Sequence, residues 1–250
     1  MNELLLLLGT EARKLRRTLA LGLAVVAPAM VVGLYFLYLL TLRPGRWPQD
    51  GQAWLAFTRM CVGLWSFLML PLYIALQTAL LNGVEHGNHQ WKHLFAMPVA
   101  RWRVYLAKLI ASSVLVALSF ALLFLLLLPA GAVAQALRPW LGFGGVPAAG
   151  MAALVFKPFG ASAILLAAHH LISSRTGSMT LALGTGVAGT VAAFVVVNSA
   201  RWGRFFPWAM PMRVASGMDP MAGLIMTVSI LGAVLLTALG CILVERREPI

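Results

Sequence analysis

The chain alternates between long runs of apolar residues and short polar connections. Six stretches are long and apolar enough to cross a bilayer, whose hydrocarbon core takes about 20 apolar residues of helix. Runs such as 114–128 carry no charge on any helical face, so they need lipid or other helices on every side. The pattern predicts an all-α membrane protein with six transmembrane helices. We place the spans at about residues 19–42, 60–81, 104–128, 147–172, 179–197 and 221–244.

An amphipathic basic segment, residues 1–18, precedes the first span. Leu4, Leu8 and Leu15 fall on one side of a helical wheel, whereas Arg13 and Arg17 lie away from its centre. This arrangement is typical of an interfacial helix that keeps its basic side chains among the headgroups. A frayed basic tail is the alternative. The charges follow the leucine run instead of preceding it, which argues against a cleavable signal peptide.

Prolines and small residues predict the local shape of the spans. We expect a kink at Pro71 in the second span and another at Lys157–Pro158 in the fourth, where the Lys157 ammonium would reach back to the interface. In the fifth span, small residues recur at four-residue spacing, which favours close helix packing. Gly184, Gly186 and Gly189 belong to this set.

The composition agrees with a membrane protein and changes how its charge is interpreted. Of the 250 residues, 61% are hydrophobic and 10% are charged, and the mean hydropathy is +0.88. A net charge of +12 would suggest nucleic acid in a soluble protein, but here the basic residues lie in short loops and face lipid headgroups. We therefore expect lipid contacts and no nucleic acid. More than half of the basic residues fall on the side of the termini, which predicts a multi-pass protein of the cell (inner) membrane with both termini cytoplasmic.

Motifs for catalysis are missing from the sequence. None of the four lysines is followed by Ser or Thr, so the chain has no P-loop and cannot hydrolyse ATP on its own. It also lacks an H-E-x-x-H or G-x-S-x-G motif and a pair of acids inside a span. His169 and His170, near the end of the fourth span, are the residues on which a membrane-embedded enzyme could rest. We favour a packing role for them, because no acid or nucleophile lies nearby in sequence.

The connection 83–103 joins the second and third spans. It is the longest polar and basic segment among the connections predicted on one side of the membrane. Asn88 can cap a short helix and Pro98 can stop it. Its two faces would carry the apolar Trp91, Leu94 and Phe95 and the polar Glu85, His89 and Lys92. An aromatic anchor ringed by charges suits a soluble protein partner. A helix resting on the headgroups is the alternative.

Three histidines in this connection, His86, His89 and His93, follow a spacing that can bind a transition metal on one helical side. Gly87 lies among them and weakens the helix that such a site needs. We expect these histidines to contact solvent or a partner, and we expect no metal site.

The order of residues here resembles the cytoplasmic loop between the second and third helices of the type-2 ABC exporter permeases. The resemblance rests on Glu85, Trp91, Lys92, Leu94, Pro98, Val99, Arg101 and Lys108. Within that family, the pattern is similar to the branch of lantibiotic-immunity and bacitracin-resistance permeases, and the N-terminal segment is similar to the family's elbow helix. The three histidines and the short turn LISSRT depart from the family pattern.

The resemblance implies a single permease domain over residues 1–250, with 83–103 as a cytoplasmic coupling loop for a separate ABC ATPase subunit. The coupling residues would be Glu85, Gly87, Trp91, Lys92, Leu94, Phe95, Pro98, Arg101 and Lys108. ATP and Mg would be bound by that partner, with no cofactor on this chain, and a second permease copy or paralogue would complete the transporter. It would work by alternating access on an amphipathic or hydrophobic cargo: a peptide antibiotic, a lipid-linked molecule or a drug. The alternatives are a membrane-embedded enzyme using His169 and His170, or a non-transporting anchor or sensor for a soluble partner.

Overall fold

The computed structural model of the protein describes residues 2–15, 18–45, 47–48, 52–87, 100–176, 178–199, 201–217 and 219–246. Within these ranges the regular structure is helical and contains no strand. In chain order the helices are α1 (Asn2–Leu15), α2 (Leu19–Thr41), α3 (Ala53–Leu64), α4 (Leu70–Gly87), α5 (Arg101–Leu137), α6 (Ala148–Ala161), α7 (Ala163–Arg175), α8 (Met179–Val196), α9 (Met210–Ala215) and α10 (Ala222–Glu245). A π-helical turn, Trp65–Met69, joins α3 to α4, and a 3₁₀ turn, Pro139–Leu141, follows α5.

Six helical stretches in the described ranges are long and apolar enough to cross a membrane. They are α2, the continuous run from α3 through α4, α5, the pair α6 and α7, α8, and α10. The predicted all-α class with six transmembrane helices is therefore confirmed.

The spans alternate in direction, so their termini gather at two ends of the bundle. At one end, Glu3 of α1 pairs with Arg103 and the Trp102 N–H meets Glu245 of α10. At the other end, Arg138 donates to the Leu40 carbonyl. We call the first the α1 end and the second the opposite end. The α1 end also receives the last turns of α4 and α7, whereas the opposite end carries the connections 42–52, 138–147 and 197–221.

The second span is distorted before its proline. A kink was expected at Pro71, and the structure has a π-helical turn over Trp65–Met69, just before that proline. Pro71 has no N–H, so the Phe67 carbonyl loses its usual partner four residues on. The chain accommodates this with a wider turn, in which the Leu70 N–H donates to the Trp65 carbonyl five residues back.

The third span is longer than the sequence indicated. We expected it to end at Leu128, but α5 runs for 37 residues to Leu137, passing through Pro129. At about 1.5 Å per residue it is about 55 Å long, well over the thickness of the hydrocarbon core. The extension is packed, because Gly131 leaves the space that the Trp54 ring occupies. A proline inside a membrane helix is tolerated where neighbouring helices support it.

The fourth span is interrupted at Ser162, between α6 and α7. A kink was expected at Lys157–Pro158; α6 passes through both residues as helix and ends at Ala161, so the interruption follows about one turn after the proline. Ser229 of α10 bridges the break. Its hydroxyl donates to the Ala161 carbonyl (2.9 Å) and accepts from the Ile164 N–H (3.1 Å). The break lies here because a neighbouring helix supplies partners for the freed backbone groups, which lipid cannot do.

The long helix α5 packs against α1, α2 and α10, while α4 packs against α7 and α8. Large aromatic side chains, including Phe57, Trp65 and Phe120, fill the core between them. The outer faces of α2, α8 and α10 expose large apolar residues, such as Val195 of α8 at 81%. Those faces suit contact with hydrocarbon rather than water.

Candidate functional site

Residues 88–99, which contain most of the predicted partner-binding helix, lie outside the described residues. The helices on either side, α4 and α5, are described, and they meet α1 and α7 in a cluster of buried polar side chains at the α1 end. We call this cluster the polar junction. It consists of Glu11, Asn82, Lys108, His170 and Ser173, none more than 4% exposed.

Lys108 places an ammonium between α1 and α4. Its Nζ lies 3.2 Å from Glu11 Oε2 and donates to the Leu81 carbonyl at 3.2 Å. The other oxygen of Glu11 accepts from Lys14 at 2.8 Å. A charge taken out of water is costly unless it is paired and hydrogen-bonded. The pair therefore holds α1, α4 and α5 in one arrangement.

His170 connects three helices through both ring nitrogens. Its Nε2 lies 3.2 Å from the Tyr105 carbonyl of α5, and its Nδ1 lies 3.4 Å from Nδ2 of Asn82 on α4. A carbonyl only accepts and an amide nitrogen only donates, so the network assigns a neutral imidazole protonated on Nε2. Asn82 also donates to Ser173 Oγ at 2.8 Å. The ring thus works as a structural link between α4, α5 and α7.

A ladder of hydrogen bonds joins α4 to α5 from the junction toward the opposite end. Its partners on α4 are residues 73, 77 and 81, which share one face of the helix at four-residue spacing. The rungs run from Tyr73 Oη to the Leu115 carbonyl (3.3 Å), from Gln77 Nε2 to the Ser112 carbonyl (2.9 Å) and from Lys108 Nζ to the Leu81 carbonyl (3.2 Å). The two helices that flank residues 88–99 are therefore connected side by side into the apolar interior.

The first turn of α5 is held by both ends of the chain. The Trp102 N–H donates to Glu245 Oε2 of α10 at 3.3 Å, and Arg103 pairs with Glu3 of α1. A carboxylate near a helix N-terminus is stabilised by the unpaired N–H groups and the helix dipole. A displacement of the first turn of α5 would thus move both α1 and α10 or break these contacts.

The sequence model for the ABC-2 family transporter protein matches residues 7–183, more than two thirds of the chain. The chain belongs to the ABC-2 transporter family. No curated protein and no solved structure gives a significant match. As an ABC-2 permease, the chain is a multi-pass transmembrane subunit and is not itself a catalytic domain, and the family in general works with a partner ATPase subunit.

Most of the predicted coupling residues of this ABC-2 permease lie in the segment that is not described. Trp91, Lys92, Leu94, Phe95 and Pro98 lie outside the described residues, as do His89 and His93. The backbone of Glu85, His86 and Gly87 is helical and belongs to the last described turn of α4. Arg101 opens α5 at the α1 end.

Lys108 lies in the interior of the bundle. The resemblance placed it with Arg101 among the residues that couple the permease to the ATPase, and the structure buries it to 1% exposure against Glu11. The sequence did not reveal Glu11 as the partner of Lys108. It also did not reveal that Gln77, Asn82 and Ser173 form hydrogen bonds between helices. Gln77 and Asn82 did carry a signal, because polar side chains inside an apolar span mark interior contacts.

The N-terminal helix packs along α5 in this permease. Leu4, Leu8 and Leu15 are partly buried, and Glu11 joins them on the same face. Arg13 is exposed, and Arg17 lies outside the described residues. Leu5 and Leu6 are 63% and 70% exposed, so the helix keeps an apolar side that faces away from the bundle.

The glycines of α8 occupy three different environments. Gly186 faces α4, where an added Cβ would overlap the Ala75 methyl, and Gly189 lies under the Trp208 ring. Gly184 has nothing within 4 Å of the position of a Cβ. The close approach between α4 and α8 therefore depends on Gly186.

His169 lies next to His170 on α7 but does not form the hydrogen bonds that His170 forms. It is fully buried, its ring packs edge-on against Trp208 at 5.4 Å, and neither ring nitrogen has a hydrogen-bond partner among the described residues. Among the described residues no three His, Cys, Asp or Glu side chains are grouped so that they could hold a metal ion. In the structure His169 packs against Trp208, and His170 links helices through its hydrogen bonds.

Proposed function

We propose that this chain is the transmembrane subunit of an ATP-driven exporter, and that a separate cytoplasmic ATPase docks on residues 85–98. The observation that carries the proposal is the bonding between the two helices that the segment connects along the chain. The segment joins α4 to α5, and these two helices share the hydrogen-bond ladder and the polar junction with α1 and α7. A force applied to the segment would therefore be transmitted into the spans as a unit.

The mechanism follows from the same contacts. The two neutral rungs of the ladder, from Tyr73 and Gln77, are each worth only about 0.6 kcal/mol in a membrane protein, so they align the helices without locking them. The Glu11–Lys108 pair is buried and costly to separate, so α1 would follow any movement of α5. ATP and Mg bound by two ATPase copies would close the ATPase pair, and the bundle would switch between inward and outward access.

The cargo we propose is amphipathic or hydrophobic: a peptide antibiotic, a lipid-linked molecule or a drug. The outer faces of the spans are apolar, and the resemblance to the lantibiotic-immunity and bacitracin-resistance branch favours a role in antibiotic resistance or immunity. A second copy of the permease, or a paralogue, would form the other half of the pathway. The α1 end, with both termini, would face the cytoplasm of the inner membrane.

The test introduces an aspartate in place of an apolar residue at each end of the molecule and compares the variants. Trp91→Asp and Leu94→Asp place a charge on the apolar face of the proposed docking helix, and we expect them to abolish co-purification with the ATPase. Trp202→Asp is the matched control, because Trp202 is 64% exposed in the connection at the opposite end.

The readouts are ATPase retention on the affinity-purified permease and the stimulation of ATP turnover by the complex. Equal membrane insertion of all three variants is checked by their yield after detergent extraction. Normal retention in both Trp91→Asp and Leu94→Asp would refute docking on this helix. Retention without any ATP-dependent transport would instead favour a membrane anchor or sensor.

A further inference from the structure

A cavity at the opposite end of the molecule lies outside the machinery described so far. It has a volume of about 520 Å³ and lies between the end of α8, the connection 197–221 and the π-helical turn before α4. Its charged lining consists of Arg204, Arg213 and Asp219, and its apolar lining includes Phe67 and Phe194. We call it the arginine pocket.

The arginine pocket carries a surplus positive charge. Asp219 Oδ2 accepts from Arg204 Nε at 3.2 Å and lies 2.7 Å from Arg213 Nη2, and Asp219 Oδ1 accepts from the Met221 N–H at 2.9 Å. Burial alone would raise the pKa of Asp219. The Met221 N–H and the two guanidiniums outweigh that effect and hold the pKa below its ordinary value, so the carboxylate stays ionised. One negative charge against two positive ones leaves a net charge of +1.

Both guanidiniums keep unused donors. Arg213 Nη1 donates to the Val197 carbonyl at 3.0 Å, but its Nε is buried and has no hydrogen-bond partner in the part of the chain that the structure describes. Arg204 bonds Asp219 through Nε, and its terminal nitrogens have no partner among the described residues. A buried donor without an acceptor is costly, and arginine donors match the oxygens of a phosphate in geometry and charge.

The apolar lining of the pocket includes a residue from the exposed apolar face of α8. Phe67 and Phe194 pack edge to face with their ring centroids 4.3 Å apart. Phe194 is 52% exposed on the same helix that presents Val191 at 61% and Val195 at 81%. The cavity therefore combines a cationic polar part with an apolar part next to the exposed face of α8, at the end of a candidate membrane span.

We propose that the arginine pocket binds the phosphate headgroup of an anionic amphiphile from the adjoining leaflet, with the phosphate on Arg204 and Arg213 and the chain against Phe67 and Phe194. Free phosphate shares the headgroup chemistry but lacks the apolar part. Zwitterionic phosphatidylcholine carries an ammonium that the surplus positive charge disfavours. The site thus selects for negative charge and an attached chain together.

The experiment measures binding of short-chain phosphatidylglycerol to the full-length permease in a zwitterionic detergent by titration calorimetry. Arg204→Gln removes the more exposed guanidinium but leaves the Arg213–Asp219 pair, so the fold should survive, and its melting temperature checks this. Arg201→Gln is the matched control, since Arg201 stacks on Trp202 and is not part of the pocket. We expect Arg204→Gln to weaken binding about tenfold or more, as the loss of a charge-assisted bond does, and Arg201→Gln to leave it within about twofold.

Two further arms separate the sources of the phosphate. Inorganic phosphate and short-chain phosphatidylcholine should each bind at least about tenfold more weakly than phosphatidylglycerol. Phe194→Ala should weaken phosphatidylglycerol binding without affecting inorganic phosphate. Equal binding by Arg204→Gln and the wild-type chain would overturn the proposal, and so would inorganic phosphate binding as tightly as the lipid.

Discussion

At the scale of single residues, the most consequential feature is a charge that the bundle buries. Glu11 and Lys108 are 97 positions apart in sequence and meet where α1, α4 and α5 converge. Glu3 and Arg103 form a second pair between the same two helices, but their side chains are 52% and 37% exposed. The two pairs therefore offer the same chemistry in different dielectric surroundings, which permits a direct comparison.

Glu11→Gln should destabilise the protein far more than Glu3→Gln. The first change leaves the Lys108 ammonium buried beside a neutral side chain, at a cost of about 3–5 kcal/mol. The second removes a solvent-exposed pair, which is worth about 1 kcal/mol or less. Thermal unfolding of the detergent-solubilised protein measures both. Adding Lys108→Met to Glu11→Gln should restore much of the lost stability, and strictly additive losses would contradict the buried-charge explanation.

At the scale of helices, packing between α4 and α8 rests on one glycine. Gly186→Ala would push a methyl into Ala75, and overpacking of this kind costs about 1–3 kcal/mol. Gly184→Ala is the matched control two positions away, where a methyl meets nothing within 4 Å. It should be neutral or stabilising, because alanine favours helix over glycine by about 1 kcal/mol. Equal melting temperatures for the two variants would show that α4 and α8 do not approach closely.

The break between α6 and α7 gives a second test at this scale. Ser229→Ala removes both bonds that bridge the break and leaves the Ala161 carbonyl and the Ile164 N–H unpaired. We expect a loss of about 1–3 kcal/mol in the free energy of unfolding. Ser113→Ala is the control, since the Ser113 hydroxyl donates only to a carbonyl of its own helix, Leu109. If both variants unfold alike, Ser229 does not support the break.

The sequence predicted those features that depend on residues of a single helix. It did not predict features that depend on a contact with another helix. The apolar runs predicted six spans because hydrophobic length is local information. The break at Ser162 was not predicted, because its position depends on Ser229 of another helix. The burial of Lys108 against Glu11 was not predicted either, because this partner lies in α1, and the helical wheel of α1 drew attention to its leucines instead of Glu11.

At the scale of the whole molecule, the two ends differ in what they can do. The α1 end carries the buried polar junction and the proposed docking segment, whereas the opposite end carries aromatic packing and the arginine pocket. Basic residues occur at both ends, so charge alone gives only a modest bias in orientation. The proposed coupling requires the α1 end to face the ATPase, since ATP is supplied from the cytoplasm.

Cysteine labelling tests this orientation directly. Cys61 and Cys241 are first replaced by serine, and single cysteines are then introduced at Gly87, the last residue of α4, and at Gly145, which is exposed at the opposite end. An added Cβ at Gly145 meets nothing within 4 Å, so the change should be tolerated there. In intact cells, a membrane-impermeant maleimide should label Gly145→Cys at once and Gly87→Cys only after permeabilisation. The reverse pattern would place residues 85–98 outside the cell, where no ATP-driven partner could reach them.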